Sequence, residues 1–80
     1  MILLWDERNL VHLAGRDDGR GISPSDVEEV VRDPASVRRR LRGGRRAYRG
    51  TTAGGRRLAV IVEVQGRSCL RPRTAWEVTR

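Results

Sequence analysis

Lysine and phenylalanine are absent from this chain of 80 residues, histidine and cysteine occur once each, and the aromatics are Trp5, Tyr48 and Trp76. Each scarcity closes a class of function. A lone Cys69 cannot form an internal disulfide, and with His12 as the sole imidazole there is no spacing for a structural metal. No metal and no other cofactor is therefore expected. The longest apolar stretches, residues 1–5 and 58–62, fall far short of the roughly 20 residues that a membrane helix needs. No secretory hydrophobic segment follows the N-terminus, so a cytoplasmic protein with no membrane partner is expected. The length suits one domain, taken as residues 1–80, whose core is only marginally able to hold itself. That size excludes a multidomain enzyme and a deep cofactor cavity.

What the chain has in excess is arginine. Seventeen arginines against ten carboxylates give a net charge of +7 and a pI near 11.5. The distribution is uneven. Residues 1–37 hold four arginines and eight carboxylates, a net of −4, whereas residues 38–80 hold thirteen arginines and two carboxylates, a net of +11. A basic half of that density suits a polyanion, because each arginine that meets a phosphate releases counterions. Guanidinium also forks phosphate bidentately and stacks on bases, which lysine does not. GC-rich codon usage raises arginine as well, so the clustering says more than the total.

The pattern along the chain predicts the order β-α-α-β-β-β-β with a short C-terminal helical turn: an α+β fold with an antiparallel meander and helices on one face. The first strand covers residues 2–5. Asp6 is an N-cap and Glu7 a first-turn acid for a helix carrying Leu10, Leu13 and Ala14 on one stripe and ending at Gly15. The second helix starts at Ser23, with Pro24 at N1 and Asp26 at N3, carries Val27, Val30 and Val31, and stops before Asp33-Pro34. After that the apolar period falls to two. Gly43-Gly44 joins a pair of strands, and Leu58, Val60, Val62 and Val64 line one face of a central strand with Ala59 and Ile61 on the other, so that strand is expected to be covered on both sides for most of its length. Pro72 marks an edge or an exit from the sheet, and Thr74-Ala75-Trp76-Glu77 has the form of a capping box for the last helix.

Candidate sites follow from residue chemistry. Gly54-Gly55-Arg56-Arg57 and Gly19-Arg20-Gly21 lack the lysine of a phosphate loop and read as turns. Arg67, Cys69, Arg71 and Arg73 share one face of the last strand by alternation, with Arg56 and Arg57 in a neighbouring turn. Like charges so close call for an anion or an acidic partner. Arginine is a poor proton carrier but stabilises charge that builds on a phosphorane. His12 is the only side chain whose ordinary pKa suits proton transfer near neutrality. Tyr48, among Arg46 and Arg49, is either a base-stacking or proton-donating phenol or an aromatic covering the core edge. Trp76 is either a stacking platform for single-stranded nucleic acid or the anchor of the last helix. Composition alone permits a polyanion-binding module or a phosphodiester-cleaving enzyme.

Taken in order, the motifs resemble those of BrnT-like toxins. Trp5-Asp6-Glu7, with Asn9 and His12, is similar to the opening W-D-E-x-N-x-x-H of that family. Gly21-Ile22-Ser23 leading into residues 26–30, and the Asp33-Pro34 stop, resemble its second helix. Gly50, Thr52, Gly55, Arg56 and Leu58 resemble its G-R-T-x-x-G-R-x-L hairpin, and residues 71–76 an R-P-x-T-A-W ending. The chain departs from the family pattern at Arg20, where a second histidine is usual, at Thr51 and at Trp76, where arginines are usual. The resemblance implies the toxin of a type II toxin–antitoxin pair with a RelE-like ribonuclease fold. Such a toxin is a metal-independent endoribonuclease that inhibits translation. Its partners would be RNA, in some cases on the ribosome, and a cognate antitoxin forming a hetero-oligomer with it. On this reading Arg71 and Arg56 are candidates for phosphate binding and charge stabilisation, and His12 and Tyr48 for proton transfer. Arg49, Arg57, Arg67, Arg73 and Trp76 are the candidate RNA contacts. The alternative is a catalytically silent arginine-rich module that binds nucleic acid or an acidic protein.

Overall fold

In the computed structural model, which describes residues 2–6 and 22–78, the chain runs β1 (Ile2–Leu3), α1 (Pro24–Arg32), β2 (Val37–Arg40), β3 (Arg45–Thr51), β4 (Arg57–Gln65) and β5 (Cys69–Glu77). The start of α1 is fixed locally. The Ser23 side chain accepts from the Asp26 amide at 3.1 Å, and the Asp26 carboxylate accepts from the Ser23 amide at 3.2 Å, a closed capping box with Pro24 at the first turn. Val27, Val30 and Val31 form the buried stripe of this helix, with Ile22 buried just ahead of it.

The strands form one sheet in the order β1-β5-β4-β3-β2. β2, β3, β4 and β5 pair antiparallel in succession, and β1 pairs parallel with β5 through Ile2–Cys69 and Leu3–Leu70. Gly43 and Gly44, with φ of 72° and 71°, supply the two left-handed residues of a tight hairpin turn between β2 and β3. β4 is the middle strand, and its alternation sets the layers. Leu58, Val60 and Val62 are fully buried toward α1, where they meet Tyr48 of β3 and Leu70 and Ala75 of β5. Burying aliphatic side chains of this size stabilises by about 1.5–3 kcal/mol each, so this single-sided core is the main source of stability.

The architecture corrects the expected β-α-α-β-β-β-β fold with a C-terminal helical turn. Among the described residues there is one short helix, and the sheet is mixed, since β1 runs parallel to β5. The first expected helix lies in residues outside those described. The second correction is at residues 74–77, read as a helix-opening capping box. They are strand, pairing with residues 58–61 of β4. Thr74 and Trp76 are residue types that suit a sheet, and the ladder with β4 supplies the backbone bonds a helix would have made. The strand continues past Pro72 because the register shifts there. Ile61 faces Thr74 while Val62 faces Pro72, so Arg73 is an extra residue in β5. The bulge resets the alternation: Leu70 and Pro72 are buried before it and Ala75 after it. No helix among the described residues is long and apolar enough to cross a membrane.

Two details make the packing testable. Gly50 lies where a Cβ would collide with Ser36 Oγ and sit 3.2 Å from Val30 Cγ1. Ser36 Oγ in turn donates to the Val30 carbonyl at 2.6 Å, tying the α1–β2 turn to the helix. Gly50→Ala is expected to lower stability by about 2 kcal/mol through this overpacking, read from the denaturant midpoint. Beside the bulge, Thr74 Oγ1 is buried without a hydrogen-bond partner. Thr74→Val, which keeps the shape and removes the unsatisfied hydroxyl, is expected to be neutral or to stabilise by up to about 1 kcal/mol in the same measurement.

Candidate nucleic-acid interface

Residues paired across a sheet present their side chains on the same face, so the register places every candidate on β2 to β5. On the face away from α1, Arg49 of β3 and Trp76 of β5 both pair with Ala59 of β4, and Val37 of β2 pairs with Arg49. The next row toward one end holds Thr51 paired with Arg57. In the other direction come Arg39, Ala47, Ile61 and Thr74, then Arg45, Glu63 and Arg71. The centre of this face is thus built of small and aliphatic residues with guanidinium groups around it. No described element covers it. Trp76 is 39% exposed and Val37 66% exposed, unusual values for a large aromatic and a β-branched residue in a sheet.

The charge on this face is only partly balanced. Arg73 Nη1 lies 3.5 Å from Glu63 Oε2, and Arg71 forms an ion pair with Asp6. Arg39, Arg45, Arg49 and Arg57 are exposed and have no carboxylate partner among the described residues. Four unpaired cations on one strand face repel each other until an anion is supplied.

Arg49, Arg57 and Trp76 are therefore brought together around Ala59, with Arg71 and Arg73 on the same sheet further along β5. Arg67 lies apart, exposed in the turn between β4 and β5. Arg56 and Tyr48 belong to the opposite side. Arg56 donates from Nη2 and Nε to Glu77 Oε1 at 2.9 and 3.3 Å and lies 3.6 Å from Asp26 Oδ2. It clamps α1 to the end of β5. Tyr48 is 3% exposed among the core residues, and its hydroxyl accepts from Arg46 Nη1 at 3.0 Å. His12 lies outside the described residues. Trp5 belongs to the helix side, packed on the core with its indole nitrogen donating to Glu28 Oε2 at 3.0 Å.

Sequence reasoning overlooked Arg39 and Arg45 as part of this face. The signal was available, since Arg45, Ala47, Arg49 and Thr51 alternate with the inward Tyr48, but it becomes useful only when the register with β4 is known. Among the described residues no group of three or more histidine, cysteine or acidic side chains converges as a metal site would. No family model, no curated protein and no solved structure matches the chain.

The two adjacent arginines 56 and 57 separate clamp from surface. Arg56→Met is expected to lower stability by about 1–2 kcal/mol, because it removes the guanidinium that joins Glu77 and Asp26 in a half-buried setting. Arg57→Met is expected to change it by less than about 0.5 kcal/mol. Denaturant titration of the two variants checks the difference, and equal losses would contradict the assignment.

Proposed function

We propose that this chain is an RNA-directed toxin of a type II toxin–antitoxin pair, working in the cytoplasm, and that the face bearing Arg49, Arg57 and Trp76 carries the RNA. The observation behind the RNA reading is the meeting of two unpaired guanidinium groups and an exposed indole around Ala59. An aromatic platform ringed by cations suits single-stranded nucleic acid, because every base can stack while the phosphates are neutralised. The toxin reading rests on the ordered motifs shared with BrnT-like toxins, and does not depend on the helix count that the sheet corrects. An acidic antitoxin would be the natural cover for the same arginines and would lend stability to a marginal core.

The reaction is metal-independent transesterification. The ribose 2′-oxygen attacks the adjacent phosphorus, the bond from phosphorus to the 5′-oxygen breaks, and a 2′,3′-cyclic phosphate and a 5′-hydroxyl remain. A proton leaves the 2′-hydroxyl and one reaches the departing 5′-oxygen. Arg71, on the RNA face and less buried than Arg56, is the residue to stabilise the charge building on phosphorus, exchanging its ion pair with Asp6 for the phosphate. His12 is the remaining candidate for proton transfer. Tyr48 is turned into the core and Arg56 is engaged by two carboxylates, so neither is assigned a chemical step.

That same engagement favours a second reading, a module that binds RNA without cutting it. Purified protein incubated with naked and ribosome-bound RNA separates the two. The toxin reading predicts cleavage that survives repurification, arrest of growth on expression, and relief of that arrest by the neighbouring reading frame. Arg71→Ala should then slow cleavage on the order of 10²-fold. Binding without turnover and without effect on growth would leave only the second reading.

Affinity for single-stranded RNA should fall steeply with salt in either case, with Arg49→Gln reducing the slope of log K against log salt by about 0.7. Trp76→Ala should weaken binding by about 1–3 kcal/mol. Fluorescence anisotropy across a salt series measures both, and a salt-independent affinity would refute the RNA face.

A further inference from the structure

The end of the sheet nearest Arg57 holds an open cleft of about 430 Å³. It exists because β2 begins late. The β2–β3 ladder ends at the pair Val37–Arg49, and Gly50 and Thr51 of β3 run on without a β2 partner. The chain ahead of Val37 crosses the gap instead. It is held by the Ser36 hydroxyl on the Val30 carbonyl, the Ser36 amide on the Asp33 carbonyl at 3.0 Å, and the Ala35 amide on Asp33 Oδ1 at 2.9 Å. Gly50 lets this turn lie close, since any Cβ there would strike Ser36. The cleft is therefore a fixed feature of the backbone.

Its walls differ in chemistry. Val37 and Val78 supply apolar lining. Arg49 and Arg57, with no carboxylate partner among the described residues, line it as well, and so does Asp33. Trp76 lies outside the lining, across Ala59 from Arg49. The volume falls in the range of small-molecule sites. An anion alone would have no use for the apolar wall, and an apolar ligand would strand two cations. A phosphate joined to a flat ring, with polar edges within reach of Asp33 and Thr51, uses all of them.

We propose that this cleft seats one phosphate-bearing nucleotide, its phosphate forked by Arg49 and Arg57 and its base laid against Val37 and Val78. The nucleotide is one unit of the RNA strand that crosses Trp76, so the inference deepens the RNA reading and rests on it. The cleft gives that strand a fixed stopping point on an otherwise flat face.

The test is titration of the isotope-labelled full chain with the four ribonucleoside 5′-monophosphates, followed by amide NMR, with the matching nucleosides and inorganic phosphate as controls. The amides of Val37, Thr51 and Val78 should shift on nucleotide addition. Nucleosides and phosphate alone should each bind at least about tenfold more weakly, and Arg49→Gln and Arg57→Gln should each weaken nucleotide binding about tenfold. Both positions are exposed, so the dispersion of the spectrum reports directly that the variants remain folded. An absence of cleft shifts at millimolar nucleotide, or phosphate alone binding as well as the nucleotide, would overturn the proposal. A parallel titration with an RNA oligomer keeps the two readings apart. RNA that binds through Trp76 while nucleotides leave the cleft untouched refutes the cleft and spares the RNA face. Nucleotides that bind in the cleft while the oligomer does not bind refute the RNA face and leave a site for free nucleotides.

Discussion

The alternation of β4 is the constraint from which the rest of the molecule follows. Leu58, Val60 and Val62 point to one side and are fully buried, and no other strand supplies three such residues in line. They hold α1 through its three valines, they set the inward position of Tyr48, Leu70 and Ala75, and they commit Ala59, Ile61 and Glu63 to the far side. A chain of 80 residues has enough apolar surface for one core layer. Most of it lies on one face of the sheet, and no described element covers the other.

What the other face carries is decided by register. A shift of one residue between β3 and β4 would send Arg49 inward and Tyr48 outward, which the core does not allow. The arginines on the far side are thus as tightly positioned as the core, although their side chains are solvated. Among the described residues, three cations near the sheet find carboxylates. Arg56 ties Asp26 of the helix to Glu77 of β5, Arg71 meets Asp6 next to the parallel strand, and Arg73 reaches Glu63 across the bulge. Arg39, Arg45, Arg49 and Arg57 stand on the far face with no carboxylate partner among the described residues, while Arg38, Arg40 and Arg46 share the rows of Tyr48, Val60 and Val62 on the helix side.

Parts of this were legible from the sequence because they depend on local chemistry. The capping box at Ser23 and Asp26, the two left-handed glycines at 43 and 44, and the central place of β4 are each signalled by neighbouring residues, whereas the cover expected on the second face of β4 is not found among the described residues. The C-terminal segment was misread because Thr74-x-x-Glu77 is a local signal for a helix, while the force that makes it a strand is a ladder with residues 58–61, distant in sequence. The parallel pairing of β1 with β5 has the same origin. At the candidate site, residue types mixed two populations. Arg56 and Arg57 are neighbours in sequence, yet one is a buried-side clamp and the other an open-face cation, and only the three-dimensional register separates them.

The protein carries its own control for the central claim that RNA is held on the face away from the helix. It has two tryptophans, one on each side of the sheet: Trp5 on the helix side, bonded to Glu28, and Trp76 on the open face. Their indole N–H resonances can be followed in one spectrum as single-stranded RNA is added to the full chain. The account predicts that the Trp76 resonance shifts or broadens while that of Trp5 stays in place. Movement of Trp5 with Trp76 unaffected, or no movement of either when RNA is bound, would contradict it.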